Sequence, residues 1–460
     1  MADVTVRDLG SRLEPFVDRY LIAALEGCSH VLHHPHPEGV ALAFDEPWEG
    51  RFAGCISVLH DGDRYRMYYR GKPDASPDGQ NEVTCYAESS DGRTFHKPRL
   101  DLSPAGYNVI LDGTSGVGHN FAPFLDTHPD CRPDERFKAM AGLHETGVFI
   151  FGSADGIRWR RLVEEPVITS TAFAFDSQNV PFWSEPEGCY LFYFRTWKSV
   201  GEGGYRWVSR SASPDFRHWS DPVEMDTGDA PFEHLYTQQT HPYFRAPHLY
   251  LSLAARFWPD RVAIDKATAA AIDVHPSYWH DVSDGVLMTS RGGNCYDRTF
   301  LESFIRPGLE PGNWISRTNY PGLGVVPAGP AEMSLYAHCH YAQPTCHAAR
   351  YSLRTDGFAS VHAGYTPGEM LTHPLRFTGA RLVLNVATSA AGEVRVEIQD
   401  AAGQPLPGYT LADCRPVFGD EIERVVAWQA GPDVSALAGQ TVRLRVQMKD
   451  ADLFALQFRE

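Results

Sequence analysis

The stretch SADGIRW at residues 153–159 belongs to a set of similar short segments spread along the chain, and this set decides the fold. Asp-Gly between two strand-like runs is typical of a tight turn, because glycine adopts positive φ and the aspartate side chain can bond the turn backbone. The copies are SSDGRTF (89–95), SADGIRW, SPDFRHW (213–219), and the weaker SRGGNCY (290–296) and RTDGF (354–358). Their spacing corresponds to one four-stranded sheet each and predicts a five-bladed β-propeller over residues 40–364.

A second repeat precedes these turns in three of the units. It reads NFAPFL (120–125), QNVPFW (178–183) and QTHPYF (239–244). Proline is disfavoured in the middle of a sheet, so a proline at the same place in each unit marks the start of a strand. The polar residues just before the proline are therefore predicted to face the central channel of the propeller and to bind substrate there. They are Asn120, Gln178 and Gln239.

The pattern changes near Thr366, where RLVLNVAT, EVRVEIQD and TVRLRVQM alternate strictly between apolar and polar residues. This alternation predicts an antiparallel β-sandwich over residues 365–460. Residues 1–39 are predicted to form an N-terminal extension that packs on the propeller. The fold class is all-β, with short helices only near residues 260–274 and at VSALAG (434–439).

Composition narrows the classes of partner. The chain of 460 residues has 41 basic and 58 acidic residues and a net charge of −17, which argues against nucleic acid or an anionic membrane surface and favours a neutral or cationic ligand. The start of the chain lacks the pattern of a secretory signal, so a cytoplasmic location is expected unless a leader was removed. Nine cysteines without a Cys-x-x-Cys pair predict buried reduced thiols. The sequence leaves the oligomeric state open, and a homo-oligomer is one of the possibilities.

A five-unit propeller with Ser-x-Asp-Gly-x-x-Trp hairpins and a following sandwich resembles the glycoside hydrolases built on five-bladed propellers. These are the invertase and levanase family (family 32) and the arabinanase and xylosidase family (family 43). The resemblance implies an exo-acting glycoside hydrolase whose pocket lies at the propeller mouth. The W-x-N-D-P-N-G, R-D-P and E-C motifs of invertases are absent in that form, and FDEPWEG (44–50) stands where the first would be. YDRTFLESFIRPG (296–308) also resembles a segment shared by a group of bacterial proteins, which implies no activity.

Cleavage of a glycosidic bond needs two carboxyl groups that flank it, one to protonate the leaving oxygen and one to act as nucleophile or to activate water. Carboxylates at or near the predicted blade ends are therefore the catalytic candidates: Asp176, Glu302, Asp297, Glu332 and Glu49. Other polar and aromatic residues in the same segments are predicted to bind substrate, together with the three amides above. They are Asp45, Trp48, Arg298, Arg306, His338 and His340.

Two alternatives remain open at this stage. The propeller could bind carbohydrate or act as a scaffold without catalysis, in which case the mouth carboxylates would be spread apart. Glu332, His338 and His340 share one face of a predicted strand and could instead hold a metal ion in a metal-dependent carbohydrate-active enzyme. Apart from that alternative, no cofactor is predicted.

Overall fold

The computed structural model describes residues 5–62, 64–112, 118–170 and 172–460. Residues Pro35–Leu353 form one compact unit, a propeller of five antiparallel sheets, which we call blades I to V. The five-bladed propeller predicted from the hairpin repeat is confirmed. From the innermost strand outward, blade I consists of Gly54–Asp61, Arg64–Gly71, Val83–Ser89 and Val109–Leu111, and blade II of Ala122–Leu125, Phe137–Leu143, Gly147–Ser153 and Arg160–Arg161; blade III consists of Val180–Ser184, Cys189–Val200, Gly203–Ser213 and Val223–Glu224. In the other two blades, two short segments share the inner position. Blade IV consists of His234–Thr237 with Thr240–Tyr243, Ala246–Trp258 and Val282–Ser290, and blade V of Tyr320–Pro321 with Val326–Pro327, Glu332–Cys339, His347–Arg354 and His36–Ala43.

Blade V closes the ring with a strand from the other end of the chain. Its outer strand, His36–Ala43, runs antiparallel to His347–Arg354. The prediction that the propeller continues to residue 364 is wrong, because the RTDGF turn leads into Ala359–Ala363, which pairs with Cys28–Leu32 in a different sheet. Pairing of an N-terminal strand with the last blade depends on a contact across more than 300 residues, which no local pattern reveals.

An aromatic residue of each strong hairpin packs against the preceding blade, although in the third hairpin it is Phe216 and not the repeated aromatic Trp219, which lies 5.7 Å from Phe192 of its own blade. Ring centroids are 5.6 Å apart for Phe95 and Tyr336, 6.2 Å for Trp159 and Tyr68, and 5.7 Å for Phe216 and Phe124. The first member of each pair lies in or beside the turn of one blade and the second lies in the neighbouring blade. The repeated hairpin therefore joins blades as well as strands.

A buried hydroxyl reinforces one of these joints. Tyr68 of blade I is fully buried and donates a hydrogen bond to the carbonyl oxygen of Gly156 in the hairpin of blade II at 2.8 Å. Tyr68→Phe is expected to lower the free energy of unfolding by about 1–3 kcal/mol, because it leaves a buried carbonyl without its donor. Urea denaturation measures this. The half-buried Tyr205→Phe is the control, and equal stability of both variants would contradict the account.

Residues Met1–His34 and Arg354–Glu460 form the second unit. The sandwich prediction is borne out as ten strands in one connected sheet that enclose an apolar core around Phe16, Leu382 and Trp428, within the described residues. The strands are Arg7–Gly10, Glu14–Pro15, Ile22–Glu26, Cys28–Leu32, Ala359–Ala363, Gly368–Thr372, Leu375–Phe377, Arg381–Asp400, Asp420–Val425 and Val442–Arg459. The separate extension over residues 1–39 is wrong, because the first four of these strands pair with the C-terminal ones.

Helices are few, as predicted. The α-helix Lys266–Ala271 is capped by Asp265, whose side chain accepts a hydrogen bond from the backbone N–H of Thr268. Short 3₁₀ turns occupy Pro133–Glu135, Pro311–Asn313 and Ser435–Leu437. No helix in the described ranges is long and apolar enough to cross a membrane.

The cysteines are free thiols, and four of them are buried. The expectation of buried thiols is wrong for Cys295, which is exposed beside the outer edge of blade IV, and it holds only in part for the half-buried Cys28, Cys55, Cys131 and Cys189.

Candidate functional site

A polar pocket, which we call the mouth pocket, lies where the inner strands begin and the second strands end. It encloses about 40 Å³. A water-sized group needs about 10–15 Å³ by this measure, so the pocket takes a substituent rather than a whole sugar ring. Its lining residues are Cys55, Arg70, Asp78, Asn120, Asp176, Ser177, Tyr236, Thr237, Arg317, Tyr320, His338 and Tyr341.

Gln178 and Gln239 close the channel beneath this pocket. The Gln178 side-chain amide donates to Ser57 Oγ at 2.8 Å, and the Gln239 amide donates to Gln178 Oε1 at 2.5 Å. Both glutamines are buried and block the channel, and the prediction that they contact substrate stays a prediction. Below them, the later residues of the inner strands, such as Pro123 and Phe182, line an apolar cavity of about 440 Å³. The mouth pocket is therefore a dead end.

Two carboxylates meet at the mouth. Oxygens of Asp78 and Asp176 lie within 4.8 Å of each other. Arg195, buried in the second strand of blade III, donates to Asp176 Oδ2 at 2.5 Å. Lys72 donates to Asp78 Oδ1 at 2.9 Å. Burial alone would raise the pKa of Asp78, but the hydrogen bond from Lys72 together with the nearby charges of His119 and Arg70 outweighs it and lowers the pKa below its ordinary value.

A buried polar network supports this pair from behind. His119 Nδ1 lies 2.6 Å from Glu82 Oε2, and His119 Nε2 lies 2.7 Å from Asn120 Nδ2. Asn120 Oδ1 accepts a hydrogen bond from Arg70 Nη1 at 2.9 Å. Burial alone would raise the pKa of Glu82, but Arg70 and His119 outweigh it and lower the pKa well below its usual range. The Glu82 carboxylate thus stays charged and orients His119. Asn120 lines the pocket as predicted, although its amide is already engaged.

Asp78, His119 and Asp176 are the group of the described residues whose ligand atoms come close enough to hold a metal ion. Each already has a partner, since Lys72 binds Asp78, Glu82 binds His119, and Arg195 binds Asp176. Two of those partners are cations that a metal ion would have to displace or tolerate at short range. The geometry favours a network of ion pairs over a metal centre.

The second and third strands of blade III extend beside the pocket. These strands have 12 and 11 residues, whereas those of blade II have 7 each. The extra length carries Trp197, which is 45% exposed, and Arg206. Phe173, 48% exposed, lies 5.2 Å from the Arg195 guanidinium. Exposed aromatic faces at a polar pocket suit the apolar faces of sugar rings.

The segment between blades IV and V does not reach the mouth. Asp297 pairs with Thr289 at the outer edge of blade IV, and its carboxylate caps the backbone N–H of Thr299. Glu302 and Arg306 are exposed. Arg298 is buried and binds Glu233 at 2.6 Å, so it is one half of an ion pair. These four residues lie apart from the mouth pocket, because the segment follows the third strand of blade IV along its outer edge, and their part in a site stays a prediction.

Glu332 lies away from the mouth pocket for a different reason. It opens the second strand of blade V, not the inner strand, and second strands run toward the mouth. His338, six residues later, lines the mouth pocket, so Glu332 lies about 20 Å away at the other end of the strand, where it binds Arg93 and Arg350.

The predicted metal cluster of Glu332, His338 and His340 is therefore wrong. His338 donates from Nε2 to the Arg317 carbonyl oxygen at 2.7 Å, and burial lowers its pKa to about 4. His340 has positive φ beyond the strand end and binds Thr345 and Glu310. Of the three, only His338 is a mouth residue in the described chain.

The candidates from the first blade also lie elsewhere. Glu49 is fully buried between Tyr69 and Lys97, and burial raises its pKa. Asp45 is exposed and binds Lys97 at 2.7 Å. Trp48 donates to Asn108 at 2.9 Å. The structure assigns all three predicted residues to the support of blade I rather than to the mouth pocket.

The cations at the mouth were not predicted from the sequence, although the sequence contains a pattern that indicates two of them. Arg70, Arg195 and Arg256 each occur in the later half of a second strand, in MYYRG, FYFRT and LAARF. Aligning second strands would have placed an arginine at the mouth of three blades. Asp78 and Arg317 lie on connecting segments and carry no such pattern.

No protein-family model and no curated protein matches the chain. Solved structures show similarity at low identity. An N-acetylgalactosamine deacetylase from F. plautii, in complex with blood group B trisaccharide, is 13% identical, with 74% of this chain and 97% of that protein covered and a TM-score of 0.45. A protein solved as a complex with RGII is 11% identical, with coverages of 70% and 92% and a TM-score of 0.46. The β-1,2-mannobiose phosphorylase from Listeria innocua is 11% identical, with coverages of 66% and 90% and a TM-score of 0.39.

Proposed function

We propose that the protein is a glycoside hydrolase that cleaves a terminal sugar at the mouth pocket, with Asp176 and Asp78 as its two carboxyl groups. The observation that carries this proposal is their separation, because their oxygens lie within 4.8 Å of each other. Retaining glycosidases hold the pair about 5–5.5 Å apart, and inverting ones about 6.5–9.5 Å apart. The dead-end pocket supports cleavage at a chain terminus rather than within a chain.

Asp176 is the nucleophile in this proposal. Its ion pair with Arg195 requires the charged carboxylate, which is the form that attacks the anomeric carbon. Asp78 is the proton donor to the leaving oxygen and then the base that activates water. Its side chain is 51% exposed and can therefore reach a substrate that enters from solvent. Exposed Trp197 and Phe173 offer stacking faces for the sugar above the pocket.

The pKa of Asp78 sets the expected pH dependence. A general acid acts in its protonated form, and Lys72 lowers the pKa of Asp78. The value of kcat/KM is therefore expected to fall as the pH rises above that lowered pKa, which places the optimum in the strongly acidic range, below the ordinary pKa of an aspartate. Lys72→Met raises the pKa and should move the alkaline limb to higher pH. A limb that does not move in this variant would contradict the role of Asp78.

Release of reducing sugar from a panel of aryl glycosides and oligosaccharides tests the proposal. The panel covers fructans, arabinans, xylans, galactans and uronic-acid-containing glycans. We expect the protein to release a monosaccharide from the chain end of at least one substrate. Tight glycan binding in titration calorimetry without any release would instead support a non-catalytic carbohydrate-binding propeller.

A further inference from the structure

Three arginines surround one tyrosine beside the mouth pocket. The guanidinium carbons of Arg195, Arg206 and Arg317 lie 4.8, 5.0 and 5.6 Å from the centroid of the Tyr236 ring. Tyr236 is buried and lines the pocket. Three positive charges held around one buried ring repel one another more strongly than they would in water.

These arginines are poorly neutralised. Within the described chain, Arg206 and Arg317 have no carboxylate at ion-pair distance, and Arg195 has only Asp176. The buried Nη1 of Arg195 has no hydrogen-bond partner among the described residues, and neither does Nε of Arg70. Burial lowers the pKa of Arg206, and the neighbouring Arg195 lowers it further.

The charge balance at the mouth is opposite to that of the whole chain. In the described part of the mouth and its immediate support, five cations face three carboxylates, although the protein carries a net charge of −17. The cations are Arg70, Lys72, Arg195, Arg206 and Arg317, and the carboxylates are Asp78, Glu82 and Asp176. A buried excess of positive charge is costly unless an anion offsets it.

We propose that the mouth pocket recognises an anionic substituent on the sugar, a carboxylate or a sulfate ester, through Arg317, which lines the pocket, with Arg206 and the unpaired Nη1 of Arg195 beside it around Tyr236. This inference rests on the proposed function and names its substrate class as acidic sugars. The planar guanidinium matches carboxylate and sulfate oxygens with paired hydrogen bonds. The pocket volume of about 40 Å³ suits such a group while the sugar ring lies above it. The overall negative charge of the chain favours a neutral or cationic ligand, whereas the local positive charge at the mouth favours an anionic one.

Matched substrates test the inference. The p-nitrophenyl glucuronide and galacturonide differ from the glucoside and galactoside only at C6, and kcat/KM for the acidic member of a pair should be higher by about tenfold or more. Arg206→Gln and Arg317→Gln should each lower kcat/KM for the acidic substrate by about tenfold and reduce the acidic-to-neutral ratio of kcat/KM within each pair. Arg206 is partly exposed, so its variant keeps the test valid if Arg317→Gln does not fold. Arg158→Gln, on the exposed hairpin of blade II, is the control.

Titration calorimetry separates this inference from the proposed function. Free glucuronate, galacturonate and galactose 6-sulfate should bind the wild type more tightly than glucose or galactose, and Arg206→Gln should abolish the difference. That result without turnover would support the inference and overturn the hydrolase. Turnover with equal or better rates on neutral sugars would overturn the inference alone. Tight binding of inorganic phosphate or sulfate with no preference among sugars would also overturn it, since the cluster would then serve a free oxyanion.

Discussion

Asp176→Asn is expected to lower kcat/KM by at least about two orders of magnitude on any substrate that the wild type cleaves. The amide has nearly the same shape as the carboxylate and its oxygen can still accept a hydrogen bond from Arg195. It cannot attack the anomeric carbon as an anion, so the loss should appear in the rate of the chemical step. Initial rates and the melting temperature are both measured for the variant, so that a loss of catalysis can be told apart from unfolding.

Glu302→Gln is the matched control for that experiment. Glu302 belongs to the charged segment that sequence patterns favoured, yet it is exposed outside the mouth pocket. Its variant should keep the wild-type rate within about twofold. If Asp176→Asn stays within about fivefold of the wild type while Glu302→Gln loses activity, the site lies at the outer edge of blade IV and the account of the mouth is wrong.

Lys138→Met is expected to lower the free energy of unfolding by about 3–5 kcal/mol, because it leaves the Asp126 carboxylate buried without its cation. Lys138 and Asp126 form an ion pair in blade II in which both side chains are nearly inaccessible. Tyr190 of blade III donates to the same carboxylate at 2.8 Å, and the Lys138 ammonium lies 5.9 Å from the Phe216 ring of the hairpin. The pair therefore joins two blades.

Urea denaturation followed by tryptophan fluorescence measures this effect, with Lys198→Met as the control. Lys198 also faces aromatic rings but pairs with Glu224 at a half-exposed position, so its loss should cost about 1 kcal/mol or less. The double variant Lys138→Met with Asp126→Asn should recover part of the stability, because no charge is left buried. A loss under about 1 kcal/mol for Lys138→Met alone would contradict the account.

The blade count could be predicted because each hairpin is held by local bonds. In the copies that begin at Ser89, Ser153 and Ser213, the serine hydroxyl bonds the aspartate two residues later, and the aspartate caps backbone N–H groups of the turn. These contacts depend only on neighbouring residues, so they leave a clear pattern in the sequence. The ring closure by His36–Ala43 depends on a partner at the other end of the chain and leaves none.

The site could be predicted only in part, for the same physical reason. Asp176 and Asn120 stand beside the proline repeat, so their place at the mouth follows from strand direction. Glu332 was misplaced because its strand is the second of the blade, and an error of one strand moves a residue to the opposite end of the sheet. Asp78 and Arg317 reach the mouth from connecting segments, whose paths are set by packing across the whole propeller.

The anomeric configuration of the first-formed product, followed by proton NMR during hydrolysis, tests the central claim most directly. In the proposed site the carboxyl groups of Asp78 and Asp176 lie at the mouth with oxygens within 4.8 Å of each other. Such a pair leaves no room for a water molecule to attack from the far side of the ring, so the sugar should be released with the configuration it had in the substrate. Release with inverted configuration would contradict the pairing of Asp78 with Asp176.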